Sequence, residues 1–383
     1  MFKRVRHYAG FAAHFAEHIL YRMGLRKAQP LAEGRWEDFQ FVVGDFVGWN
    51  KYIRLHNTHL VPRGHPAIFY GNHIKLDDPC YLFRAAYLAS GGDVKIGAMM
   101  KNDFFAGIPF TKSRWLDLDE ILETTDVYGI SRENVTISQL KKFVDLLLRG
   151  KGFILYPGRT RSCSGLLMDY RDGVERPGGI SFFLHTAQSR DATLRVSAMP
   201  AVRNFNPITR HTSVIFGEEI FLPRGASRAE QRTFDEHIIE RLGPLVEINA
   251  AQVVSAILYT RCLHGLAAPI SVDELVKLTA DLFDAFKHPY VDPEDKADIA
   301  RAVRKTLRYL RKHGMLAMKG GKVYPDTAAI LATPPLTKAF RTLNPVKYLT
   351  NQILHLGEVT GLIERHTLSQ TETDPAAERA AGA

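Results

Sequence analysis

From about residue 36 to 245 the chain alternates short apolar runs with longer stretches of helical period. The runs Ala67–Tyr70, Val94–Met99, Gly152–Pro157, Leu194–Pro200 and Ser213–Phe216 have the length of strands. Between them, Tyr81–Leu88, Val135–Leu148 and Ile180–Ala187 repeat apolar residues as one face of a helix does. Alternation of this kind predicts an α/β domain over 36–245 built on a largely buried sheet.

From about 246 the pattern turns helical, with Ile248–Leu263, Ser271–Phe286, Pro293–His313 and a later stretch near Leu336–Leu356. Ser271 followed by Glu274 is a capping box that opens the second of these. Met315–Lys319 and Lys322–Tyr324 flank Gly320-Gly321, a two-residue hairpin signal. Residues 246–367 therefore read as a helical C-terminal domain with a small hairpin. The tail, 368–383, lacks apolar content and reads as disordered.

Residues 1–35 form a third kind of segment. Phe2, Val5, Tyr8, Ala12, Phe15, Ile19 and Met23 recur every three or four residues, which predicts a single amphipathic helix. Seven basic side chains (Lys3, Arg4, Arg6, Arg22, Arg26, Lys27, Arg35) face two acidic ones (Glu17, Glu33), a large share of the chain's net charge of +9. His14, Glu17 and His18 interrupt the apolar run, so a transmembrane span is not expected, and no apolar core with a cleavage site reads as a signal peptide. Such a helix suits an anionic bilayer surface, at roughly 1 kcal/mol per basic residue near the headgroups. Docking on its own domain is the competing reading.

With 383 residues, 45% hydrophobic and 24% charged, the chain can hold one large domain and a smaller one. Cys80, Cys163 and Cys262 lie far apart without CxxC spacing, which argues against a disulfide framework or a zinc site and fits a reducing compartment. No metal site is expected.

The stretch Gly71-Asn72-His73-Ile74-Lys75-Leu76-Asp77-Asp78-Pro79 places a histidine and a carboxylate five residues apart, where a strand hands over to a helix. Asp78 and Pro79 read as the N-cap and first position of that helix. A general base and the group that orients it need such a placement; the competing reading is that Asp78 merely caps the helix and His73 is a loop residue. After the strand-like Gly152–Tyr156 come Pro157-Gly158-Arg159-Thr160-Arg161-Ser162, then Gly165, Arg171 and Gly173. Two arginines and two hydroxyls behind a strand end can serve as a phosphate clamp, because guanidinium binds phosphate oxygens in bidentate fashion; an exposed basic loop is the competing reading.

Together these segments resemble the glycerophospholipid acyltransferase family, which includes glycerol-3-phosphate and 1-acylglycerol-3-phosphate acyltransferases. Asn72-His73-x4-Asp78 looks like its first motif, and Val127-Tyr128-Gly129-Ile130-Ser131-Arg132-Glu133-Asn134 like its second. Tyr156-Pro157-Gly158-Arg159-Thr160-Arg161-Ser162 falls where a Phe-Pro-Glu-Gly-Thr-Arg-Ser motif is expected, and Met199-Pro200-Ala201-Val202 resembles the fourth. Lys101 with Pro109 matches an element upstream of the second. Gly158 stands in place of the motif glutamate, and Arg159 in place of its glycine.

The resemblance implies a mixed sheet flanked by helices, as in glycerol-3-phosphate acyltransferases. It implies His73 as general base with Asp78 as its partner, and Arg132, Arg159, Arg161, Ser162, Arg171 and Lys101 as substrate-binding residues. The acyl donor would be a thioester, acyl-CoA or acyl-carrier protein, and the acceptor a phosphorylated glycerol or a lysophospholipid. No cofactor is implied. The expected location is cytoplasmic and peripheral to an anionic membrane surface, which tilts the first helix toward the bilayer. A non-catalytic lipid-binding protein of the same fold is one alternative. Another is a nucleic-acid-binding C-terminal module, since Arg301, Arg304, Lys305, Arg308, Arg311 and Lys312 share a helix before the hairpin; acidic residues just before that helix weigh against it, and no nucleic acid is expected.

Overall fold

The computed structural model describes residues 2–30, 33–46, 48, 53–101, 112–130, 135–158, 161–169, 179–266 and 268–369. These fall into two compact units. The first comprises residues 1–159, 174–203 and 212–241, and the second 160–173, 204–211 and 242–383.

The first unit opens with helices α1 (Phe2–Arg22) and α2 (Trp36–Phe46), strands β1 (Ile53–His56) and β2 (Ala67–Tyr70), then α3 (Asp78–Ala89). It continues with β3 (Ile96–Lys101), α4 (Leu118–Glu123), β4 (Val127–Ile130), α5 (Ile137–Leu148) and β5 (Gly152–Leu155). Helix α6 (Ile180–Arg190), strands β6 (Ser197–Phe205) and β7 (Thr212–Phe216), and α7 (Arg228–Glu240) complete it. Among the described residues, seven strands make one sheet in the order β1-β7-β6-β2-β5-β3-β4.

Strands β6, β2, β5, β3 and β4 run parallel, with Tyr70 opposite Pro200 and Leu155, Ala98 opposite Ile154, and Lys101 opposite Ile130. β7 returns antiparallel to β6, as the bonds from Gly217 N–H to Pro200 C=O and Asn206 N–H to His211 C=O require. It runs parallel to β1. The sheet is mixed. β2 and β5 are buried along their whole length, which explains their unbroken apolar sequence. Because the five strands are parallel, the ends of β2, β5, β3, β4 and β6 share one rim.

The apolar runs in the sequence locate five of the seven strands, with shifts at their ends. β6 begins three residues later than expected and extends to Phe205; β3 extends to Lys101. α5 starts where Thr136 and Gln139 cap each other reciprocally.

The second unit contains α8 (Ala250–Leu263), β8 (Ile270–Ser271), α9 (Val272–Ala285), α10 (Pro293–Ala297), α11 (Ile299–Lys312), and strands β9 (Leu316–Lys319) and β10 (Lys322–Pro325). It ends with α12 (Thr327–Leu331), α13 (Phe340–Leu343), α14 (Pro345–Asn351) and α15 (Gly357–Ser369). α8 is buried almost all round and forms the core of this unit. The Ser271–Glu274 capping box is present at α9. Gly320 and Gly321 both have positive φ, at 57° and 73°, and turn the β9–β10 hairpin.

Two expected helices are divided. Pro293–His313 breaks at Asp298, whose carboxylate instead accepts the Arg301 N–H to start α11. Leu336–Leu356 breaks at Asn344, which caps α14. Residues 370–383 of the expected tail lie outside the described residues.

The first helix docks, although not through the face its apolar residues define. His7, His14 and His18 are the buried side chains, while Phe2, Val5, Tyr8, Leu20 and Met23 are exposed. His7 donates to Asp38 at 2.8 Å and stacks on Phe41, and Phe11 packs on Phe39, all residues of α2. Thr124 spends its hydroxyl proton on Ile121 C=O and so accepts from His14 Nε2 at 3.0 Å. Histidine offers a polar edge and a flat ring together, so a histidine stripe can be a docking face. Among the described residues, no helix is long and apolar enough to cross a membrane.

Candidate active site

β2 leaves the sheet through Gly71 and Asn72. A Cβ on Gly71 would sit 2.1 Å from the Ala201 carbonyl oxygen of β6, so only glycine permits this approach. Asn72 then clasps β6, its Nδ2 donating to Arg203 C=O at 2.9 Å and its Oδ1 accepting the Arg203 N–H at 3.0 Å. These two contacts fix where the following loop begins.

The loop folds around Asp78. Its Oδ2 accepts His73 Nδ1–H at 2.9 Å, the Ile74 N–H at 2.6 Å and the Lys75 N–H at 2.7 Å. The expected cap is corrected by one residue. Asp77 holds the N-cap position without a side-chain capping bond, and Asp78 is the first helical residue, its carboxylate turned back into the loop. Pro79 sits in the first turn, where its missing N–H costs nothing.

Asp78 Oδ1 accepts Arg203 Nη1–H at 2.5 Å, and the same nitrogen reaches Asp77 Oδ1 at 2.8 Å. The guanidinium lies over the Tyr81 ring, 3.5 Å from its centroid. Arg203 is only 1% exposed, so its charge is acceptable there only because two carboxylates answer it. Burial acts to lower the Arg203 pKa, but Asp78 and Asp77 outweigh it and hold the pKa above the ordinary value. Burial would raise Asp77, yet its hydrogen bond and attraction to Arg203 win and hold that carboxyl below the usual range.

The His73 ring stacks on Tyr156 with centroids 4.3 Å apart and planes 15° from parallel. Burial pushes the Tyr156 hydroxyl well up, so it remains neutral. The ring is thus fixed by a bond on one edge and a π-face on one side. With Nδ1–H donated to the carboxylate, the lone pair is on Nε2. Nε2 has no hydrogen-bond partner among the described residues, and the side chain is 13% exposed. This arrangement can take a proton from a hydroxyl placed before Nε2 while Asp78 stabilises the imidazolium.

Cys80, one turn away, is no competing nucleophile: burial and the nearby carboxylates Asp77 and Asp78 push its thiol up to about 11. Among the described residues, no group of three or more His, Cys, Asp or Glu side chains could hold a metal ion.

Of the other expected site residues, Lys101 closes β3 at the same rim as His73. Arg161 and Ser162 are described within the second unit, where the Ser162 hydroxyl donates to Leu166 C=O at 2.6 Å, so its proton is used inside the loop. Arg132, Arg159 and Arg171 lie outside the described residues. The sequence reading gave no role to Arg203, Asp77 or the Tyr156 ring. A signal for Arg203 existed: a cation directly behind the unbroken apolar run 198–202 of β6.

A pocket of about 280 Å³ lies at the opposite end of β2 and β5, lined by residues such as Arg63, His65, Lys95 and Lys151. Neither His73 nor Asp78, Arg203 or Tyr156 lines it.

No protein-family model matches the chain, and no curated protein matches it. A solved structure, the 1-acyl-sn-glycerophosphate (LPA) acyltransferase PlsC from Thermotoga maritima, is similar over 62% of this chain and 93% of its own, at 14% identity and a TM-score of 0.35. A similarity this distant leaves function to be read from the side chains.

Proposed function

We propose that the chain is an O-acyltransferase that moves a fatty acyl group from a thioester, acyl-CoA or acyl-carrier protein, to a hydroxyl of glycerol 3-phosphate or a lysophospholipid. The observation that carries this reading is the His73–Asp78 bond, with Asp78 held in turn by two backbone N–H groups and Arg203, and with no partner on His73 Nε2 among the described residues.

In this reading Nε2 takes the acceptor's hydroxyl proton as the oxygen attacks the thioester carbonyl. Collapse of the tetrahedral intermediate breaks the C–S bond, and the departing thiolate takes the proton back from the imidazolium. No serine or cysteine nucleophile is needed because the thioester is already activated. General-base help is worth about 10²–10⁴ in rate, with orientation of the substrates supplying much of the rest. Arg161 binds the acceptor phosphate, with Arg132, Arg159, Arg171 and Lys101 as further cations for acceptor or donor phosphates.

The same reading places the protein at the cytoplasmic face of a membrane. α1 turns its histidines inward and leaves Phe2, Val5, Tyr8, Leu20 and Met23 exposed beside Arg4 and Arg6, which suits an anionic lipid surface.

An acceptor screen tests the proposal. Purified protein with a long-chain acyl-CoA is offered glycerol 3-phosphate, dihydroxyacetone phosphate and lysophospholipids. Acylated product from one of these is expected. Unchanged acyl-CoA with all of them, also with acyl-carrier protein as donor, would remove the reading.

A further inference from the structure

The loop that carries Arg161 and Ser162 folds as part of the second unit, and its shape is fixed there in detail. Asp169 closes it: Oδ2 accepts the Cys163 N–H at 2.6 Å and the Ser164 N–H at 3.0 Å, and Oδ1 accepts the Ser164 hydroxyl. Gly165, with φ of +90°, lies against α14 so closely that a Cβ would be 2.1 Å from the Tyr348 carbonyl oxygen. Asn351, the last residue of α14, donates Nδ2–H to Ser164 C=O at 2.9 Å.

α14 is itself held firmly. Asn344, buried at its start, donates Nδ2–H to the carbonyls of Ile330 at 2.9 Å and Ala332 at 2.8 Å, while its Oδ1 accepts the Lys347 N–H at 2.9 Å. Val346 and Leu349 are buried in the core of the unit. Just past the helix, Gln352 accepts from Gln252 of α8 at 3.1 Å. An unbroken series of contacts therefore runs from the central helix of the unit to the backbone two residues from Ser162.

We infer that Asn351 is a positioning residue for acceptor binding, holding the Arg161 loop through Ser164 C=O so that the C-terminal unit sets the affinity for the acceptor's phosphate. This rests on the reading of Arg161 as the phosphate-binding side chain. Bidentate binding of a phosphate needs the guanidinium correctly placed, so a loop released from α14 loses acceptor affinity before it loses chemistry.

The test uses the full-length chain with saturating acyl-CoA and varied glycerol 3-phosphate, comparing wild type, Arg161→Ala, Asn351→Ala and the double variant. Asn351→Asp, equal in size but without the donor, serves as a second single variant. Loss of one hydrogen bond at the loop should raise KM about threefold to tenfold in each Asn351 variant, with kcat within about twofold. The double variant should have a KM no higher than Arg161→Ala alone, since Asn351 acts only through that arginine. Unchanged KM in both Asn351 variants, an equal fall in kcat, or additive effects in the double variant would overturn the inference while leaving Arg161 its role. An Arg161→Ala enzyme with normal KM would overturn the phosphate reading, and the inference with it.

Discussion

Replacing Arg203 with methionine keeps the length of the side chain and removes its charge. The guanidinium is the cation nearest the Asp78 carboxylate and is as deeply buried as that group. Breaking a buried ion pair by removing one partner costs about 3–5 kcal/mol, because the remaining charge is left without compensation. Asp77, about a third exposed, is partly screened by water, so most of that cost falls on Asp78. Against a total stability of about 5–15 kcal/mol this is a large fraction. It corresponds to a fall in Tm of roughly 6–20 °C for a unit of 150–250 residues. On the acyltransferase reading, activity should fall further than stability at 25 °C explains, since a misplacement of about 1 Å in the His73–Asp78 pair can cost about 10²-fold. Arg203→Lys should be intermediate, since an ammonium keeps the charge but gives up the second nitrogen's contact with Asp77 and the flat group over Tyr81. Thermal unfolding by circular dichroism and acyl transfer at saturating substrates measure the two effects. An Arg203→Met protein with wild-type Tm and rate would refute the claim that this arginine holds Asp78 in place.

Gly71→Ala drives a methyl group into the Ala201 carbonyl oxygen at 2.1 Å, so β2 must move from β6, and a stability loss of about 1–3 kcal/mol or more is expected, read as a lowered Tm with reduced turnover; a neutral substitution would contradict the packing. Burial lowers the pKa of His14, where Arg35 opposes protonation and Glu17 favours it. It does the same for His18, where Glu120 and Asp117 favour protonation and Arg22 opposes it. Both rings are neutral above about pH 6.5, where their docking contribution is complete; below it the unfolded chain takes up protons that the docked helix resists, so docking weakens as pH falls. Amide protection of α1, corrected for intrinsic exchange, should therefore be lower at pH 5.5 than at 7.5, and equal protection would count against the histidine stripe. Deleting residues 1–24 should weaken binding to anionic liposomes, chiefly at low salt; unchanged binding would leave α1 with a structural role only.

The strands that position His73 were legible because parallel, doubly buried strands read as short apolar runs. Ala67–Tyr70 was located to the residue. The His73–Asp78 pairing was also suggested, since both side chains lie in one short loop. Arg203 is separated from Asp78 by most of the domain, and nothing local in the sequence says which strand will pass beside β2. The face by which α1 docks could not be read from its apolar periodicity. Apolar periodicity identifies the greasy side of a helix, whereas this helix turns three histidines inward toward Asp38, Thr124 and Glu120. The breaks at Asp298 and Asn344 were missed because both asparagine and aspartate also occur on exposed helical faces, and only the capping bonds distinguish the cases.

The central claim is that His73 Nε2 takes the proton from the acceptor. Its most direct test is single-turnover acyl transfer by His73→Gln, with folding verified by Tm. The account predicts a rate lowered by about 10²–10⁴ with the protein still folded. A folded His73→Gln protein that transfers the acyl group at the wild-type rate would contradict it.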